Sequence, residues 1–285
     1  MSRVWLGMGR RCGLLCGLLV GLLVGLLSAC QRAQSPSQDA TLDFLQDGVL
    51  LRTVSVRTAA QLQRITTFDP YYKKQKTFLA VPLRSVLLLG FAGQDLRREQ
   101  LVLRSLDGYT VPIVGERLLE DGAFLAVADG DSARWEPIGP QQTDPGPLYL
   151  IWTAAHQQDH DSYPRPWQLK GIELARFERL FPHVTPTGMP DDSPARRGFA
   201  LFRDQCLRCH AINREGGRIG PDLNVPQSIV EYRPLPQIRE YITDPLRFRY
   251  SNMPAHPHLT VADIDAIVAY FFAMKDRKHD PERRP

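Results

Sequence analysis

No cysteine occurs between Cys30 and Cys206 of the 285-residue chain. That long stretch therefore has neither a disulfide framework nor a thiolate to hold a metal. Cysteine is scarce elsewhere too: of five in total, Cys12 and Cys16 fall in an N-terminal export segment, which leaves Cys30, Cys206 and Cys209. A strong charge of one sign is also missing. The formal net charge is +4, but Arg3, Arg10 and Arg11 belong to the export segment; from there to Asp192 the chain carries 17 basic and 20 acidic residues, and beyond it 15 and 11. Halves of -3 and +4, without basic clusters among aromatics, exclude a nucleic-acid binder. There is no internal repeat, and no nucleophile stands with a general base in a recognisable motif.

What is present begins with an export signal. Basic residues ending at Arg11 precede an uncharged, Leu- and Gly-rich run from Cys12 to Leu27, slightly short for a membrane span of ~20 residues. Leu27-Ser28-Ala29-Cys30 follows and resembles the lipobox of bacterial lipoproteins, in which residues 1–29 would be removed and the Cys30 thiol would receive a diacylglycerol. The alternative is an ordinary signal peptide with an incidental Cys30. The Arg10-Arg11 pair reads as the positive flank of the signal rather than as a twin-arginine address. The expectation is a periplasmic protein held to a bacterial membrane by a lipid, with the polar residues 30–41 as a tether.

Residues 42–181 read as one α+β domain, mostly β, because short β-like runs alternate with turn signals. Leu101-Val102-Leu103 and Tyr109-Thr110-Val111-Pro112-Ile113 flank Asp107-Gly108, a pair suited to a tight hairpin turn. Phe124 to Val127 and Leu148 to Trp152 are apolar enough for buried strands, Gln168 to Leu174 alternates, and Pro82 would open a short helix to Leu89. Pro182, Pro186, Pro190 and Pro194 then mark residues 182–194 as a linker. An all-α domain is expected over 195–278.

Cys206-Leu207-Arg208-Cys209-His210 has the spacing of a c-type haem attachment site. Two thiols separated by two intervening residues can add to the vinyl groups on one porphyrin edge, which brings the adjacent His210 beneath the iron. A thioredoxin-like pair would need a βαβ context, and a zinc site two further ligands at metal spacing. Neither accompanies this motif.

The surrounding residues resemble the class I cytochrome c family from about Ala195 to Met274. Gly198 and Phe202 precede Cys206 at steps of four, on one face of a first helix. Thr260-Val261-Ala262-Asp263 resembles a capping box, followed at helical spacing by Ile264, Ile267, Val268 and Phe271, with Tyr270 at the family's aromatic position. Gly220-Pro221-Asp222-Leu223 is similar to the family loop whose proline carbonyl accepts a hydrogen bond from the proximal histidine, which would make Pro221 a residue that fixes the His210 ring. Asn252-Met253-Pro254, after a helix-like stretch from Leu235 to Ile242, resembles the distal loop and implies Met253 as sixth ligand. His256 and His258 are its competitors. Arg218, Arg247 and Arg249 would neutralise haem propionates or lie as solvated surface charge.

The front domain, over about Gly48 to Phe177, is similar to the fold that holds the molybdenum cofactor in sulfite oxidase-type enzymes. The pieces are Pro82-Leu83-Arg84 with Leu87, Asp107-Gly108-Tyr109, Pro147-Leu148-Tyr149-Leu150 and Trp167-Gln168-Leu169-Lys170-Gly171-Ile172-Glu173. Catalytic members bind molybdenum through a cysteine, which is missing, so the resemblance implies a relative without the molybdenum cofactor, used for docking or ligand binding. Two further clusters have bland alternatives. His156, Asp159, His160 and Asp161 would clasp a metal on a helix but read as a polar loop. Asp69-Pro70-Tyr71-Tyr72 with Lys73, Lys74 and Lys76 reads as an anion- or partner-contact surface or a solvated turn.

Together these features imply a mono-haem electron carrier, not an enzyme, that passes electrons between periplasmic redox partners. A ligand-binding or redox-sensing protein, or a cytochrome subunit of a larger dehydrogenase complex, is the alternative. One Cys-x-x-Cys-His with no second copy excludes the usual di-haem peroxidase chemistry of the family.

Overall fold

A computed structural model describes residues 40–139, 141–248, 251 and 253–281. The signal segment, Cys30, most of the tether, Arg249 and Asn252 lie outside the described residues. The chain starts with a hairpin of β1 (Thr41–Gln46) and β2 (Val49–Ser55). A second hairpin, β3 (Gln63–Asp69) and β4 (Lys74–Pro82), runs straight into helix α1 (Leu83–Gly90), with Pro82 as its N-cap. The expected Asp107-Gly108 hairpin is present as β5 (Gln100–Ser105) and β6 (Thr110–Val114), paired antiparallel from Gln100↔Val114 to Arg104↔Thr110. β7 (Ala123–Asp129), β8 (Tyr149–Trp152) and β9 (Leu169–Leu174) complete the strands of this region.

Two sheets result, with orders β2-β1-β9-β5-β6 and β3-β4-β7-β8. β1 and β9 run parallel, and the remaining pairs within these sheets are antiparallel. Period-two alternation sends Leu42 and Phe44 of β1, and Leu101 and Leu103 of β5, into one core with Leu83, Leu87 and Trp152. Val102, between the two leucines, points the other way into a second core with Phe177, Phe202 and Tyr270. One strand thus supplies side chains to both cores. All described residues belong to one compact unit.

β4 carries an exception to its apolar pattern. Lys76 shares the buried face of Phe78 and Ala80, because its Nζ reaches Asp129 Oδ2 at 2.7 Å and Glu136 Oε2 at 2.9 Å. A buried ammonium persists only when paired in this way. The run from Asp69 to Lys76 is therefore not a free cationic surface: Lys76 is buried and Lys74 also pairs with Glu136, at 2.7 Å. Asp69 is itself buried and accepts hydrogen bonds from the Tyr149 hydroxyl at 2.8 Å and the Tyr71 amide at 2.9 Å.

The second core is built mainly by helices. α2 (Pro194–Gln205) begins with Ser193 as N-cap and Pro194 in the first turn, both favoured there. α3 spans Leu235–Thr243 and α4 spans Val261–Lys275. Thr260 and Asp263 form the expected reciprocal cap of α4: the Asp263 amide donates to Thr260 Oγ1 at 3.2 Å, and the Thr260 amide to Asp263 Oδ2 at 2.9 Å. α2 crosses α4 at Gly198, where a Cβ would stand 1.9 Å from the Ala266 carbonyl oxygen. Phe202, one turn on, meets Tyr270 with ring centroids 5.2 Å apart. Among the described residues no helix is long and apolar enough to cross a membrane.

Within the Pro-rich stretch 182–194, Val184 is fully buried in this second core, and its carbonyl accepts a hydrogen bond from the Tyr270 hydroxyl at 2.7 Å. Just before it, Phe181 is buried there as well.

Candidate functional site

Helix α2 ends where the attachment motif begins. Cys206 is its C-cap, and the amides of Cys209 and His210 both turn back to the Cys206 carbonyl, at 3.0 and 2.8 Å. This tight turn presents Cys206, Cys209 and His210 from one short segment. Both thiols are free and half-buried. Burial pushes Cys206 up to about 12 and Cys209 up to about 11, the wrong direction for a nucleophilic redox pair.

His210 is fixed from below by the loop that follows. Its Nδ1 lies 2.9 Å from the Pro221 carbonyl oxygen, so Nδ1 carries the proton and donates, and Nε2 is the nitrogen left to ligate. Gly220 makes this approach feasible, since a Cβ there would lie 2.4 Å from His210 Cε1. Any side chain would push the ring from its place. Burial holds the His210 pKa below its usual value against the opposing Pro221 contact, which favours the neutral imidazole a metal requires.

Met253, Cys206 and Leu223 all pack against the second core. The Met253 amide donates to Ser251 Oγ at 3.1 Å, which shapes the start of the distal loop. Its two competitors differ in setting. His256 is 8% exposed, and burial lowers its pKa, followed by the neighbouring His258. His258 is half exposed and faces Asp161, 3.8 Å away. Arg218 and Arg247 are exposed.

The donor set fits a covalently held haem: two adjacent unpaired thiols, a histidine locked with one nitrogen free, and a thioether, Met253, packed against the same core as Cys206. The His156 to Asp161 segment gathers no such set. His156 Nε2 stands 3.3 Å from Glu120 and His160 packs edge-on against Tyr71, and no group of three potential metal ligands occurs among the described residues.

A contact that sequence reasoning missed joins the front domain to this motif. The Thr110 amide donates to the Arg208 carbonyl at 3.0 Å, and the Arg218 amide donates to the Gly108 carbonyl at 3.0 Å. The Asp107-Gly108 turn is thereby fastened to the attachment motif at Arg208 and to the loop that follows it at Arg218. No local pattern announces such a pairing, because it joins main-chain groups about a hundred residues apart.

Residues 193–271 match the family model described as cytochrome c oxidase, cbb3-type, subunit III. No curated protein matches the chain. A domain of this kind implies haem c and an electron-carrier role. Residues 193–271 are a class I-type cytochrome c domain, carried behind a mostly β N-terminal region.

Proposed function

We propose that this chain is a mono-haem c-type electron carrier, exported and tethered to a bacterial membrane through a lipid on Cys30. The observation that carries it is the 2.9 Å contact of His210 Nδ1 with the Pro221 carbonyl, directly behind two unpaired cysteines. Cys206 and Cys209 would hold the group through thioether bonds, His210 Nε2 would bind the iron on one side and Met253 on the other. Once bound, a haem supplies a reversible one-electron couple, and a thioether ligand raises its potential. If His210 and Met253 both bind the iron, no coordination site would be left for a substrate, which favours electron transfer over catalysis.

The front domain is read as a sulfite oxidase-like fold that has lost the metal-binding cysteine, and its role as recognition of a redox partner or ligand. Its mostly β architecture and the missing cysteine support this reading. A second reading, a cytochrome subunit of a larger oxidoreductase, gains weight because the matching family is described as an oxidase subunit. Elemental analysis should find about one iron per chain and no stoichiometric molybdenum; molybdenum at one per chain contradicts the non-catalytic reading. For the ligand, the oxidised protein should show the weak far-red absorption of a sulfur-to-iron contact, and Met253→Ala should abolish it and lower the potential. Loss of that band only on substitution of His256 or His258 would contradict the Met253 assignment.

A further inference from the structure

We infer that Asp161, on the front-domain loop between β8 and β9, is a positioning residue for the cytochrome site: its carboxylate holds the distal loop against the attachment motif and so limits how readily the Met253 side opens. The inference rests on the reading of Met253 as a ligand.

Asp161 stands between the two segments that would enclose the iron. On the attachment side, Arg208 Nη1 lies 3.7 Å from Asp161 Oδ1, and the same guanidinium donates to the main-chain oxygens of His160 and Asp161, each at 3.4 Å. The Gln205 amide nitrogen, turned toward the carboxylate, lies 3.2 Å from both of its oxygens. On the distal side, His258 Nε2 lies 3.8 Å from Asp161 Oδ2, five residues beyond Met253. One carboxylate thus faces a residue between the two cysteines and a residue of the distal loop.

The main chain that carries the carboxylate is held in place. Asp159 accepts the amides of Asp161 and Ser162, both at 3.2 Å, and the Tyr163 amide donates to the Asp159 carbonyl at 2.8 Å. Arg208, whose side chain is 12% exposed, is held in turn by the Thr110 bond to its carbonyl. The distances of 3.7 and 3.8 Å make Asp161 an electrostatic anchor rather than a hydrogen-bond acceptor, for the Arg208 guanidinium always and for His258 whenever its ring is protonated. Its effect should therefore follow charge, and should weaken with salt because the carboxylate is 42% exposed.

An added imidazole reads this directly, because it binds iron only when the Met253 side is open, and its apparent affinity scales with the open fraction. The full-length, haem-loaded protein is titrated with imidazole at low ionic strength. For an ion pair at this exposure, Asp161→Asn should bind imidazole about two- to fivefold more tightly than wild type. Asp161→Glu should stay near wild type and Asp161→Lys should exceed Asp161→Asn, with the far-red band weakening in the same order. Asp95→Asn, at an exposed pair elsewhere on the front domain, should change nothing. A purely structural role would not grade with charge. Equal affinities for wild type, Asp161→Asn and Asp161→Lys, with the far-red band intact, overturn the role of Asp161 alone. If the charge-altered proteins do not fold, His258→Gln tests the other end of the same contact, and wild-type affinity there overturns the inference. Absence of the far-red band from wild type contradicts the Met253 reading, and this inference with it.

Discussion

The hydroxyl of Tyr270 donates a 2.7 Å hydrogen bond to the carbonyl of Val184, nine residues before the cytochrome family match begins at residue 193. The cytochrome core therefore draws on residues ahead of that match. Val184 is fully buried and Phe181 is 3% exposed, both within the cluster that holds Phe202 and Tyr270.

Loss of these contacts should destabilise the cytochrome domain although Phe181 and Val184 lie outside it by sequence. Phe181→Ala should cost about 3–5 kcal/mol, the usual range for deleting a buried aromatic ring. Tyr270→Phe should cost about 1–3 kcal/mol by leaving the Val184 carbonyl unpaired. Denaturant unfolding followed by the haem absorption band checks both, and an unchanged midpoint for Phe181→Ala would contradict the shared core.

Lys76 should be indispensable to the front domain. Its side chain is 2% exposed and that of Asp129 is fully buried, so Lys76→Met strands a buried carboxylate. Breaking such a pair from one side costs about 3–5 kcal/mol. The same cluster gives an acid limit. Glu136 is held below its ordinary value, first by its hydrogen bond with Lys74 and then by that with Lys76. A depressed carboxylate stabilises the fold above its unfolded value, ordinarily about 4.3, and that stability is lost as pH falls through the lower folded value. Thermal unfolding of Glu136→Gln should therefore converge with wild type in acid and fall below it near neutrality. A difference that grew toward acid would contradict the sign.

Much of this was legible because it is local. The attachment motif, the steps from Gly198 to Phe202, the Thr260 cap and the Asp107-Gly108 turn are each set by residues a few positions apart, where spacing fixes geometry. Lys76 was not legible, since the partners that make its burial tolerable, Asp129 and Glu136, lie more than fifty residues away. The same holds for Asp161. Its sequence surroundings read as a polar loop, which names no partner, whereas its actual partners are Gln205, Arg208 and His258, brought together only by the packing of the front domain on the cytochrome motif.

Export should leave its own mark. If Cys30 is lipidated, the protein extracted from membranes should begin at Cys30 and exceed the mass of polypeptide plus haem by a diacylglycerol. Cys30→Ser should release it from the membrane fraction. A mature N-terminus at another residue, without added lipid, would contradict the anchor.

The most direct test of the central claim is the intact mass of the protein, produced with the machinery that attaches haem c, fully denatured and exposed to acidified acetone, which removes haem held only by ligation. The expected mass includes one haem beyond the polypeptide and any lipid on Cys30, and that haem increment should vanish when Cys206 and Cys209 are both replaced by alanine. A wild-type mass without the haem increment would contradict covalent attachment.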